Sequence, residues 1–169
     1  EASVAQLRAL KTSTETFEFH GDLWILRGRG ELIELRPKYL TIVNRKSQIV
    51  YQSLWLFKLC PWVKMVAVTG SVAGGSPEAD DDIDLLVVTK KNRLWLSRFF
   101  IVGILSMLGK RRKPGDDPNR VNNKLCLNMW LSEEQLSATH QDIYVANELA
   151  HMVPLLDRQQ MYARYIMAN

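Results

Sequence analysis

From position 41 to 59 the apolar residues Ile42, Ile49, Val50, Leu54 and Phe57 recur near the 3.6-residue period of an amphipathic helix, which Pro61 stops. Two β-rich runs follow, 63–68 and 83–88. The second is apolar almost throughout, as a central strand covered on both faces must be, so the two are expected to pair in one sheet. Residues 94–108 read as an apolar helix ended by Gly109 and the basic loop 110–115, and 124–131 as a third strand. Ser132 with Glu133, Glu134 and Gln135 predicts a helix N-cap, 141–151 a helix before Pro154, and 155–168 one more. Upstream, 4–11 has a helical pattern, and Phe17, Phe19, Leu23, Trp24 and Ile25 flank the turn signal His20-Gly21-Asp22, which predicts a hairpin closed by Gly28 and Gly30. A helix, a hairpin and the cations Arg27, Arg29, Arg36 and Lys38 outline the end of a winged helix; a small packing hairpin with solvated charges fits the same residues.

The expected fold is therefore α/β (α+β): a small mixed β-sheet core with flanking helices over 41–169, preceded by a helix-hairpin module over 1–38. At 169 residues and 19.4 kDa the length suits one domain plus a small module. A composition 47% hydrophobic and 24% charged excludes a largely disordered chain. The charge of +4, from 22 basic and 18 acidic residues, permits a polyanionic partner without demanding one. Cys60 and Cys126 each lie in an apolar run and make neither a zinc pattern nor a disulfide framework, which points to reduced core thiols and a cytoplasmic location. Arg98 and Lys110 bracket the apolar run 99–108, too short to span a bilayer, so no membrane partner is expected. A start at Glu1 without Met and an end on a helical pattern suggest a piece of a longer protein.

The chemistry concentrates in Val66-Ala67-Val68-Thr69-Gly70-Ser71, a polar loop through Gly74, Gly75, Ser76 and Pro77, and then Asp80-Asp81-Asp82-Ile83-Asp84-Leu85. Side chains alternate along a strand, so Asp82 and Asp84 project to one side and Ile83 to the other. Converging carboxylates repel unless a cation lies between them, and hard oxygen ligands suit Mg²⁺ or Mn²⁺, which also bind substrate phosphates. Four apolar residues after Asp84 argue against a merely solvated pair, whereas Asp80 and Asp81 read as solvated or supporting groups. Gly70 allows close backbone approach, and Ser71 and the turn amides can cradle phosphate.

Gly70-Ser71, a ten-residue interval 72–81, and Asp82-Ile83-Asp84-Leu85 together resemble the Gly-Ser plus Asp-x-Asp signature of DNA polymerase β-like nucleotidyltransferases. The order strand, Gly-Ser turn, strand, helix, strand over 63–131 is similar to that fold's core. The resemblance implies that Gly70 and Ser71 hold the triphosphate of an NTP, with Ser71 an anchor and not a nucleophile, and that Asp82 and Asp84 ligate two metal ions. It also implies a third carboxylate on a later strand. The nearest position here is Asn128, whose amide can coordinate through oxygen but carries no charge and is no base. Asp116, Asp117, Glu133, Glu134 or a group in trans are the alternatives.

Two functions follow from the resemblance. One is a metal-dependent transfer of an NMP group from an NTP to a hydroxyl-bearing acceptor, with nucleic acid, protein, nucleotide or small molecule all open. The other is a catalytically degenerate nucleotide-binding module whose N-terminal unit binds DNA or protein; a toxin-antitoxin component would unite the two. Lys110 to Lys113, like Lys90, Lys91 and Arg93, could meet phosphates or be solvated. His20, His140 and His151 form no ligand set, and the tryptophans read as core, Trp130 least securely.

Overall fold

The computed structural model describes residues 16–21, 23–117, 121–138 and 142–169; the helix expected over 4–11, Asp22 of the turn and His140 lie outside them. The chain divides into two compact units, 1–38 and 39–169. In the first, β1 (Phe17–His20) pairs antiparallel with β2 (Leu23–Leu26) as the hairpin, with Phe19 and Trp24 facing across the pair at 5.1 Å between ring centroids. Helix α1 (Glu31–Leu59) runs through the boundary of the units and starts ten residues before the expected position. Pro37 sits in its second turn, where the missing N–H leaves the Ile33 carbonyl without its usual partner and the chain nonetheless continues as helix.

The second unit is built on a four-stranded mixed sheet in the order β5-β4-β3-β6. Its strands are β3 (Val63–Val68), β4 (Ile83–Thr89), β5 (Leu125–Ser132) and β6 (Val153–Asp157). β3 is antiparallel to β4 and β6, and β4 is parallel to β5. The period-2 rule sorts the side chains cleanly. Val66, Val68, Ile83, Leu85, Val87, Leu125 and Leu127 face one side, where Val50 and Phe57 of α1 and Ile101 and Leu105 of α3 (Leu94–Met107) complete the core. Met65, Ala67, Leu86 and Val88 face the other, against Met152, Met161 and Tyr165. Trp130 is partly buried against the first of these layers, whereas Trp55 and Trp95, which also read as core, are exposed.

Two expected elements differ. Ser132 completes β5, and the described residues directly after it, 133–138, form no helix. Glu133 donates its N–H to the Thr89 carbonyl and accepts from the Lys91 N–H, and Glu134 pairs with the Lys91 ammonium at 2.6 Å. The acids that resemble a capping box are thus spent on tertiary contacts. The run read as helix over 155–168 begins as β6 and becomes helix only at α5 (Met161–Met167). Asp142 caps α4 (Ile143–His151) by accepting from the Val145 N–H at 2.9 Å.

Candidate active site

Between β3 and β4 the chain makes the short helix α2 (Gly70–Ala73), then a loop that returns to Asp82. The sheet face that carries Met65 and Leu86 also carries Asp82, Asp84, Cys126 and Asn128, because these alternate with the buried Ile83, Leu125 and Leu127. Asp84 and Cys126 are direct partners across the parallel β4–β5 pair. A bulge follows. β4 advances two residues to Leu86 while β5 advances three to Met129, and this brings the Asn128 amide to donate to Asp84 Oδ1 at 2.9 Å.

The ligand atoms of Asp82, Asp84 and Cys126 all lie within 4.8 Å of one another. Burial, and then the neighbouring Asp82, push the Asp84 carboxyl above its ordinary value, with Arg112 acting in the opposite direction. Two carboxylates on one face fit a hard divalent cation such as Mg²⁺ or Mn²⁺; the thiol adds a softer donor that such ions do not require. Arg112 from the basic loop donates to Asp82 Oδ2 at 2.6 Å, and this carboxylate in turn raises the guanidinium further above its usual value. The loop is tied to the start of β5, where Arg112 N–H reaches the Leu125 carbonyl at 3.0 Å and Leu125 N–H reaches the Lys110 carbonyl at 2.8 Å. A run of four cations is therefore partly a structural edge that delivers one guanidinium to the acidic pair.

Gly70 has φ +66°, a backbone conformation that favours glycine, and a Cβ there would stand 2.6 Å from Asp84 Oδ2. The glycine lets the helix start approach the carboxylate. Its N–H donates to Glu148 Oε2 of α4 at 3.1 Å. The Ser71 hydroxyl points the other way and donates to Asp81 Oδ2 at 2.9 Å, an oxygen that also accepts from the Glu78 N–H at 2.9 Å. The Asp81 backbone carbonyl accepts from the ammonium of Lys46, a fully buried lysine of α1 that also reaches the Ala79 carbonyl. Burial holds that ammonium below its ordinary value, against the opposing pull of Asp81 and Asp82. Asp81 is thus the knot that fixes the loop before the acidic pair.

Gly70, Asp84 and Asn128 form the polar rim of a pocket of about 360 Å³, whose wall includes Leu86, Met129, Leu136, Leu149 and Met152 and whose outer edge is Tyr144. An apolar wall beside convergent polar groups is what a nucleoside-sized ligand requires. Of the residues expected from the motif, Gly70, Asp84 and Asn128 line this pocket; Asp82 lies beside Asp84 and is paired with Arg112, and the Ser71 hydroxyl turns to Asp81. Asp116 pairs with Lys124 at 2.9 Å, and Glu133 and Glu134 turn toward Lys91, so these acids are engaged elsewhere. Lys46, Cys126 and Glu148 join the site without a signal in the local sequence, because each comes from a different element, and Arg112 comes from the basic loop that the sequence singles out.

The Cys126 thiol gives a direct check on this geometry. Burial, then Asp82 and Asp84, push it to about 12. Only the thiolate reacts, so raising the value suppresses alkylation until the pH approaches it. At pH 8 Cys126 should react with iodoacetamide about 10³-fold more slowly than an unperturbed thiol, as followed by peptide mass spectrometry. Alkylation at the rate of a free thiol would mean that the acids do not surround it.

Residues 51–155 match the nucleotidyltransferase domain family, and the chain belongs to that family, whose core is polymerase β-like. Nucleotidyl transfer is the general chemistry that this membership supports. A solved structure described as a toxin-antitoxin with AMP-PNP is similar at 13% identity over 71% of this chain and 83% of that one, with a TM-score of 0.40. No curated protein matches the chain.

Proposed function

We propose that this protein is a divalent-metal-dependent nucleotidyltransferase that moves an NMP group from an NTP to a hydroxyl-bearing acceptor. The observation that carries the reading is the convergence of Asp82 and Asp84 beside the start of α2, which Gly70 lets approach the Asp84 carboxylate closely. Asp82 and Asp84 hold the cation, and Gly70 and Ser71 take the triphosphate through the amides at the start of α2. When bound, the cation offsets the charge that builds on the attacking and leaving oxygens in an in-line displacement. Asn128 fixes one oxygen of Asp84, which leaves the other for the ligand, and Arg112 fixes Asp82 in the same way. The apolar wall of Leu86, Leu149 and Met152 receives the nucleoside and excludes water from its side of the reaction.

A second reading, nucleotide binding without turnover, is favoured by one feature: β5 sets Cys126 and Asn128, and no carboxylate, beside Asp84. Pyrophosphate release from the four NTPs with Mg²⁺ or Mn²⁺ and a panel of nucleic-acid, protein and small-molecule acceptors separates the two. Release that depends on cation and acceptor supports the transferase; tight NTP binding with no release in any combination favours the degenerate module.

Glu148 stands where the triphosphate would reach the Gly70 N–H, so nucleotide binding must displace it. A hydrogen bond to a charged group contributes about 1.5–3 kcal/mol, and a carboxylate also repels phosphate. Glu148→Gln is expected to tighten binding of a non-hydrolysable NTP analogue about tenfold by calorimetry. An affinity unchanged or weakened by the substitution would place Glu148 outside the path of the phosphates.

A further inference from the structure

The sheet face away from the pocket is covered by α1 and α3, and the outer side of that layer is apolar. Along α3, Ser97, Ile101 and Leu105 turn inward, while Trp95, Phe99 and Met107, four and eight residues apart, are 76%, 72% and 88% exposed. Leu59 of α1 is 71% exposed beside a groove of about 230 Å³ that runs between Trp55, Trp62 and Phe100. Soluble surfaces seldom leave so many large apolar side chains together, so something covers them.

Charge identifies the cover. Between positions 90 and 115 the chain carries eight Lys or Arg and no Asp or Glu, and apart from Arg98 these cations lie before and after α3. Lys91 is held by Glu134 and Arg112 by Asp82. Arg93 stacks over Trp62 at 5.5 Å and Arg98 over Trp95 at 5.6 Å, which lays both guanidinium groups along the aromatic surface. Two copies packed face to face through α3 would set basic ends against basic ends in either direction, which opposes self-association through this face. An aromatic stripe about 20 Å long with cations at both ends matches a surface that is apolar within and negative all around it. No helix among the described residues is long and apolar enough to cross a membrane, so α3 would lie in the plane of the surface.

We propose that the outer face of α3, with Trp55 and Leu59 of α1, docks on anionic phospholipid. The pocket lies on the opposite face of the sheet, so a docked molecule keeps it open to solution.

The test is co-sedimentation of the full chain with phosphatidylcholine vesicles, with and without phosphatidylglycerol, for the wild type and for Trp95→Ser with Phe99→Ser. Both positions are exposed, and a melting curve checks that the fold is kept. The wild type is expected to bind the phosphatidylglycerol vesicles and not the neutral ones, and the double variant to bind at least about tenfold more weakly. Three results would each overturn the proposal: no binding to either vesicle, binding that the double variant retains in full, or a self-associated species in sedimentation velocity that the same substitutions dissolve. Because the substitutions are on the face away from the pocket, failure here leaves the nucleotidyltransferase reading intact.

Discussion

Asp82→Ala combined with Asp84→Ala is expected to lower metal-dependent NMP transfer by about 10³-fold or more, the kinetic equivalent of several kcal/mol of charge stabilisation at the reacting phosphate. The loss should not be a loss of fold. Asp84 is held above its ordinary titration range by burial and by Asp82, so in metal-free protein the charged pair is itself a strain on the structure. Removing it takes away like-charge repulsion and also the Arg112 ion pair and the Asn128 hydrogen bond that oppose it, while the apolar side chains of β4 that flank it remain in the core. The double variant should therefore melt close to the wild type without metal, and should gain nothing when Mn²⁺ is added. An unfolded double variant, or one that keeps its turnover, would contradict the assignment of these acids.

Gly70→Ala is the second large effect, and it acts through space and not through charge. The added methyl meets Asp84 Oδ2 at 2.6 Å, so the carboxylate must move or the start of α2 must retreat. Either displacement approaches 1 Å, and misplacement of that size costs about 10²-fold in rate. The positive φ adds a separate penalty of about 1–2 kcal/mol to any residue with a Cβ. Gly109 separates the two costs, since it has the same φ of +66° with no atom within 4 Å of its would-be Cβ. Gly109→Ala should lower the melting temperature by the φ cost alone, and so no more than Gly70→Ala, yet keep NTP binding and transfer. Equal turnover in the two variants would show that close approach at Gly70 is not required.

The central strands were legible because burial on both faces leaves no room for polar residues. β3 and β4 read as apolar runs, and the return from Leu85 to Val88 makes Asp84 conspicuous at the point where the run begins. β6 was not legible. Pro154 reads as a stop and Leu155 as a start, but β6 is an edge strand, where a residue without an N–H is tolerated and the pairing with β3 takes a bulge beside it. The motif placed Gly70, Ser71, Asp82 and Asp84 together, since strand alternation and a short connection are local facts. It could not place Glu148 on the Gly70 amide or Lys46 under Asp81, which are 78 and 35 residues away along the chain. Nor could alternation alone decide between Cys126 and Asn128 as the residue beside Asp84, because the bulge in β5 brings both to it.

Equilibrium binding of a fluorescent ATP analogue, with and without Mn²⁺, to the wild type and to Asp82→Ala with Asp84→Ala decides whether the two carboxylates form a metal-nucleotide site. Binding that requires the cation and disappears with the two carboxylates is the predicted result. Binding of equal strength in the presence of a chelator, or binding that the double variant retains, would contradict a metal-nucleotide site at the start of β4.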